Sequence, residues 1–110
     1  AMNGDSDASR RAMHRLSVLQ HVRATGAGDA KVKPYVISLD RARYQTLEVK
    51  QLTAHLEIDE QGRVVDAKFE PQQSAVVDYQ LVQDAGKWLF LPRVGNGRAL
   101  RSQVLLPLQL

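Results

Sequence analysis

Residues 52–70 read LTAHLEIDEQGRVVDAKFE, and this stretch decides the fold. Its first seven residues alternate apolar and polar side chains, which is the period of a strand with one buried and one solvated face. A turn-forming run ends at Gly62, and a second β-prone segment over residues 63–70 follows it. The pattern therefore predicts an antiparallel hairpin in which Gly62 supplies a positive φ angle.

A helical pattern follows the hairpin. Pro71 ends the second strand, and from about Ala75 to Trp88 apolar side chains recur at the spacing of one helical face. We expect that face to be buried. Its members are Val77, Leu81, Val82, Ala85 and Trp88.

The chain closes with a second extended region. Residues 88–91 leave the helix as an extended stretch, and the Gly95-Asn96-Gly97 sequence supplies a turn. Residues 100–110 then alternate between two faces as one long strand. Because Pro107 has no backbone N–H to donate, this strand is expected at a sheet edge.

The N-terminal region is predicted to be an extension of the domain. Residues 1–9 are small and polar, which is typical of a disordered lead ending in a helix cap at Asp7 or Ser9. An amphipathic helix is expected from Arg10 to about Ala24, with its apolar stripe packed on the core or on a partner. That stripe consists of Met13, Leu16, Leu19 or Gln20, and Val22. Residues 1–33 thus form an extension with a helix and a glycine-containing linker, and residues 34–110 form the domain.

Composition limits the possible functions. With 110 residues and no cysteine, the chain has room for one domain and excludes disulfide, thiolate and cysteine–zinc chemistry. The net charge of +3 is uneven: residues 1–50 hold nine basic and five acidic side chains, and residues 51–110 hold six and seven. The excess is spread without a dense run, and aromatic residues are only 5%, so nucleic-acid binding is not expected.

No catalytic motif stands out. His14 and His21 are seven residues apart with no acidic ligand between them, so no metal site is expected. His55 falls on the polar side of its strand, and Asp59 and Glu60 fall in the hairpin turn, where carboxylates commonly improve solubility. We expect a protein that is not an enzyme and that needs no cofactor.

Residues 52–110 resemble the C-terminal domain of TonB-type energy transducers. Three passages carry the resemblance: the hairpin over residues 56–67, the segment from Ser74 through Val77-Asp78 to Trp88-Leu89-Phe90-Leu91-Pro92, and Gly95-Asn96-Gly97-Arg98 before a long terminal strand. The signature positions are Gly62, Asp78, Trp88, Phe90, Pro92 and Gly97. Each of these also has a scaffold interpretation, in core packing, turns or helix electrostatics.

The resemblance implies an α+β fold of βαββ type, with a three-stranded antiparallel sheet packed on one helix, here with an extra N-terminal helix. It implies a periplasmic domain that binds extended peptides of outer-membrane receptors and passes on energy from the inner membrane. The family's transmembrane anchor and proline-rich spacer are not among these residues. Either they lie outside this sequence, and any membrane association depends on them, or the domain serves another envelope assembly.

The expected mode of binding is β-strand addition to the terminal strand, because an exposed edge offers unpaired backbone groups to an incoming segment. The predicted edge residues precede Pro107, after which the donors are interrupted. They are Arg101, Ser102, Gln103, Val104 and Leu105. The same edge could instead pair with its own copy in a symmetric homodimer.

Overall fold

A computed structural model of the chain describes residues 2–39, 41–45, 47–48 and 50–110, with side chains from residue 8 onward. The expected α+β class is confirmed, because the described residues combine α-helices with antiparallel strands. The elements in order are α1 (Met2–Thr25), β1 (Lys33–Val36), a 3-10 turn (Arg41–Tyr44), β2 (Gln51–Ile58), β3 (Val64–Glu70), α2 (Ala75–Ala85), β4 (Leu89–Leu91), β5 (Arg93–Gly95), β6 (Arg98–Leu100) and β7 (Ser102–Gln109).

A three-stranded antiparallel sheet in the order β3-β2-β7 forms one layer of the fold. The predicted alternation in β2 is confirmed, since its four apolar side chains are almost fully buried while the intervening ones are not. The hairpin prediction is also confirmed, because β2 pairs with β3 through a turn in which Gly62 has a φ of +80°. Among the described residues β7 pairs with β2 alone, so the edge position predicted from Pro107 is confirmed.

Two shorter strand pairs complete the fold. β1 pairs with β4, and β5 pairs with β6, both antiparallel. Isolated bridges join Ala30 to Val94 and Arg63 to Leu89. Through the first bridge the linker after α1 pairs directly with β5.

Helix α2 lies over β3 and closes the core, but it is shorter than the sequence pattern predicts. It ends at Ala85, and Gly86 follows as its C-cap, so Trp88 lies beyond the helix rather than on its face. Leu81 and Ala85 are buried as expected, whereas Val82 is 40% exposed. Glycine has poor helix propensity, which accounts for the early end.

Helix α1 begins earlier than predicted. The backbone is already helical from Met2, so residues 2–9 are not a disordered lead and neither Asp7 nor Ser9 is an N-cap. The sequence pattern failed here because small polar residues are typical of both a loop and a helix start.

The buried face of α1 also differs from the predicted stripe. Met13, Leu16 and Leu19 are 57%, 54% and 54% exposed, whereas His14 and Val18 are buried. His14 and Val18 belong to a face that continues at half-buried His21 and Val22. The predicted stripe is wrong because two histidines, which a hydrophobicity pattern does not include, make much of the contact between α1 and the domain.

Tyr44 is a buried phenol beside a carboxylate, and it gives the protein a pH dependence. Its hydroxyl donates to Asp84, which Arg43 also contacts at 3.3 Å. Burial, followed by the hydrogen bond to Asp84, raises the pKa of Tyr44 from 10.0 to about 12. Because the unfolded chain releases this proton first, the stability that the protonated phenol contributes is present below pH 10.0 and is lost as the pH rises through about 12.

We therefore expect the free energy of unfolding to fall between pH 10.0 and about 12, and Tyr44→Phe to lack that component of the fall. Urea denaturation followed by circular dichroism at stepped pH measures both slopes. Tyr79→Phe is the matched control, because Tyr79 is 66% exposed and its loss should leave the slope unchanged. Equal slopes in Tyr44→Phe and the unsubstituted protein would contradict the assignment.

Candidate partner-binding edge

The outer edge of β7 is a row of backbone groups that no other strand in the described part of the chain covers. Its register against β2 places Gln109 opposite Gln51 and Ser102 opposite Ile58. Unpaired edges of this kind are the usual templates for strand addition.

The direction of each backbone group follows from the register. Leu110 N donates to Lys50 O at 2.9 Å, one step beyond the last pair of the ladder. Because bonded and non-bonded pairs alternate in an antiparallel ladder, the even-numbered residues of β7 turn their N–H and C=O groups toward β2. Gln103, Leu105 and Gln109 consequently turn theirs outward, while Pro107 offers only a carbonyl.

The central part of this edge combines free backbone with an exposed apolar side chain. Leu105 is 63% exposed and lies opposite His55 in the ladder. His55 lies on the polar side of β2, as predicted, with its side chain 39% exposed, and its Nε2 lies 3.2 Å from Glu70 Oε2. An incoming strand would therefore contact a leucine with a histidine–carboxylate pair behind it.

The N-terminal end of the edge is charged and already engaged. Arg101 precedes β7, and its guanidinium contacts Glu57 at 3.2 Å and Glu60 at 3.5 Å. Ser102 and Val104 are half-buried and belong to the set whose backbone pairs with β2. Of the five residues predicted from sequence, Gln103 and Leu105 are thus the two whose backbone turns outward.

The C-terminal end of the edge is partly enclosed by another segment. A pocket of ≈ 670 Å³ lies between residues 37–39 with Arg41 on one side and residues 107–109 on the other. The segment therefore borders the strand at the point where Pro107 interrupts the donors. The accessible part of the edge is centred on residues 103–105.

Three of the sequence-predicted signature residues are buried behind the sheet. Trp88 is fully buried, and its Nε1 donates to Ser38 O at 2.6 Å. Its ring packs edge-on against Phe69, with centroids 6.4 Å apart. Phe90 is 1% exposed and Pro92 is also buried.

The remaining signature residues lie at turns and at a helix start. Ser74 caps α2 by accepting from Val77 N at 3.3 Å, and Asp78 lies in the first turn, where it accepts from Gln73 N at 3.4 Å. Gly97 lies with Asn96 in the two-residue turn between β5 and β6. These residues lie outside β7, and the contacts of Ser74 and Asp78 are local ones that belong to the scaffold.

Asp59 has a different role from the solubilising one predicted for it. It is 5% exposed, and its Oδ1 accepts from Gln61 N and Arg63 N, each at 2.9 Å. Arg63 Nε adds a contact to Oδ2 at 3.2 Å. The carboxylate therefore organises the turn around Gly62, because a buried charge is retained only where hydrogen bonds satisfy it.

Sequence reasoning missed the role of two histidines. His14 Nε2–H donates to Phe90 O at 2.7 Å, and His21 Nε2–H donates to Pro92 O at 3.1 Å. Their seven-residue spacing puts them on one side of α1, two turns apart. Besides the metal site that it does not support, this spacing suits attachment to two alternate carbonyls of one segment, Phe90 in β4 and Pro92 just after it.

No protein-family model matches this chain, and no curated protein matches it. Among the described residues, no helix combines the length and hydrophobicity needed to cross a bilayer. Nor do three or more His, Asp or Glu side chains converge on a common point within those ranges.

Proposed function

We propose that this chain is a periplasmic TonB-like interaction domain that binds extended peptides by β-strand addition to β7. Its proposed task is to couple inner-membrane energy to outer-membrane receptors, without catalysis, cofactor or nucleic acid. The partner is a receptor peptide or another envelope protein. Attachment to the inner membrane would depend on a segment outside this sequence.

The observation that carries this proposal is the outward direction of the backbone groups at Gln103 and Leu105. Each of these residues offers one donor and one acceptor, enough to pair with a short extended segment. The exposed Leu105 side chain adds apolar contact beside the hydrogen bonds. A three-stranded antiparallel sheet with one helix over it supports the proposal, although the chain order of hairpin, helix and terminal strand is ββαβ and not the expected βαββ.

The variant Leu105→Pro tests the edge directly. It removes an N–H that points away from β2, so the sheet keeps its own ladder while the partner loses a donor. One hydrogen bond contributes roughly 1 kcal/mol net. With the added interruption of pairing we expect about tenfold weaker peptide binding, which corresponds to about 1.4 kcal/mol.

The probe is a synthetic peptide copied from the periplasm-facing segment of an outer-membrane receptor of the same organism, titrated into the isotopically labelled protein. Amide shifts should concentrate on residues 102–106. Leu105→Ala is the matched control, because it shortens the same side chain but keeps the N–H. Equal affinities for the two variants, or shifts confined to other parts of the chain, would refute strand addition at β7.

A second candidate function is that of a non-energising assembly module, and the outer face of α1 favours it. Met13, Leu16 and Leu19 are each more than half exposed on a helix that is otherwise attached to the domain. Apolar side chains grouped in this way are typical of surfaces that bind another protein. Sedimentation analysis distinguishes the two candidates: self-association lost in Leu16→Ser but kept in Leu105→Pro favours assembly through α1.

A further inference from the structure

A second surface, which differs from the β7 edge in composition, lies alongside α1. It is a groove of ≈ 1390 Å³ whose walls come from α1, the hairpin turn with the start of β3, the end of α2, and the turn into β6. We call it the basic groove, because six exposed cationic side chains line it. These are Arg10, Arg11, Arg15, Arg23, Lys87 and Arg98.

The charge of the basic groove is largely uncompensated. None of the six takes part in an ion pair within the described part of the chain. A seventh cation, Arg63, is bound to Asp59, and the one carboxylate in the lining, Glu60, contacts Arg101. The net positive charge of the groove lining is therefore larger than the +3 of the whole protein. Basic residues that are dispersed along the sequence lie close together in the fold.

Between these charges the lining is aliphatic. Val18 and Val22 form an i, i+4 ridge on α1, with Leu19 beside them, and Val65 and Leu89 line the same groove. Leu19 is 54% exposed and Val65 is 46% exposed, so apolar surface is open to a ligand. Val18 is buried and Val22 half-buried against the domain, so a partner would contact the apolar lining mainly at Leu19 and Val65.

We infer that the basic groove binds an acidic amphipathic helical segment of a partner protein. Glutamate or aspartate side chains would pair with the arginines and Lys87, while the apolar side of the segment covers the aliphatic floor. This binding is independent of strand addition at β7 and goes beyond the proposed function.

The lining favours a protein segment over the other anionic partners. Among the described residues the groove has no Phe, Tyr or Trp on which nucleic-acid bases could stack, and the ring of His14 in its lining is buried. A bilayer presents a nearly flat charged surface, which would contact the rim of a concave groove but not its apolar floor. An acidic amphipathic helix uses both parts of the lining.

The test uses a labelled peptide of about 14 residues, built from Glu and Leu with the leucines at helical spacing, and its twin in which Lys replaces Glu. Fluorescence anisotropy should show binding of the acidic peptide alone, and the affinity should fall as salt is raised from about 50 mM to about 300 mM. The same titration with a single-stranded oligonucleotide and with vesicles containing phosphatidylglycerol tests the other two anionic classes.

Two double variants locate the binding. Arg15→Glu with Lys87→Glu should weaken the acidic peptide at least about tenfold, because two attractive pairs become repulsive. Lys31→Glu with Lys68→Glu changes the net charge equally but lies outside the groove, so we expect less than about a twofold effect. Leu105→Pro should leave this affinity unchanged, which separates this inference from the proposed function.

Three results would overturn the inference: no detectable binding of the acidic peptide by the folded protein, equal weakening by both double variants, or tighter, groove-dependent binding of the oligonucleotide or the vesicles. Circular dichroism of each variant establishes that it is folded. Lys87→Glu alone provides a second reading at a site outside α1, should the double variant lose its fold.

Discussion

Replacing Gly62 with alanine is expected to cause the largest loss of stability of any single substitution considered. The backbone at Gly62 has a φ of +80°, and an added Cβ would lie 2.0 Å from Phe90 O and 3.0 Å from His14 Nε2. The two backbone segments cannot move apart without losing a hydrogen bond, because Phe90 N also donates to Gly62 O at 2.8 Å. The strained conformation costs about 1–2 kcal/mol, and the clash raises the total to about 4 kcal/mol or more.

Gly26→Ala is the matched control for this prediction. Its φ is +61°, but nothing lies within 4 Å of the added Cβ, so it carries the conformational cost without the clash. Chemical denaturation of the two variants should therefore differ by several kcal/mol, with Gly26→Ala losing only about 1–2 kcal/mol. Equal losses would mean that the approach of Gly62 to Phe90 is not a close one.

Truncating Trp88 to alanine should have the second largest effect. The side chain is fully buried, and its removal leaves a cavity against Phe69 and an unsatisfied carbonyl at Ser38. A cavity of this kind costs about 3–5 kcal/mol, a large part of the 5–15 kcal/mol that stabilises a typical domain. The free energy of unfolding from urea denaturation measures it.

Two further variants separate the components of the Trp88 effect. Trp88→Phe keeps most of the volume but leaves Ser38 O without its donor, and should lose clearly less stability than Trp88→Ala. Tyr79→Ala removes a large aromatic ring that is 66% exposed, and should change stability by less than about 0.5 kcal/mol. A Trp88→Ala variant as stable as Tyr79→Ala would contradict the assignment of Trp88 to the core.

The parts of the fold that could be predicted from sequence are those where one local rule is sufficient. The period of two in residues 52–58 established β2, Gly62 established the turn, and the missing N–H of Pro107 placed β7 at an edge. In each case the chemistry of one residue or one repeat limits the backbone to few conformations. The outward direction of Gln103 and Leu105 needed the register, which depends on residues far apart in the chain.

The parts that could not be predicted depend on contacts between distant segments. The sequence around His14 and His21 is compatible both with histidines that face solvent and with histidines that bind two carbonyls of the β4 region. Only the packed fold distinguishes these two environments. The basic groove is a similar case, since Arg15, Lys87 and Arg98 are separated by many residues and their charges looked dispersed. Asp59 was misjudged because a turn carboxylate is normally solvated, while here it is enclosed by the backbone that it orders.

Pro107 has a consequence for behaviour at high concentration. A long uninterrupted edge would let one copy stack on another and seed fibrous aggregates. Because Pro107 withholds a donor and residues 37–39 stand beside it, the open stretch of β7 is only a few residues long. Pro107, which indicates an edge strand, thus also makes β7 a poor template for fibril growth. The remaining open stretch is still long enough to pair with one short peptide.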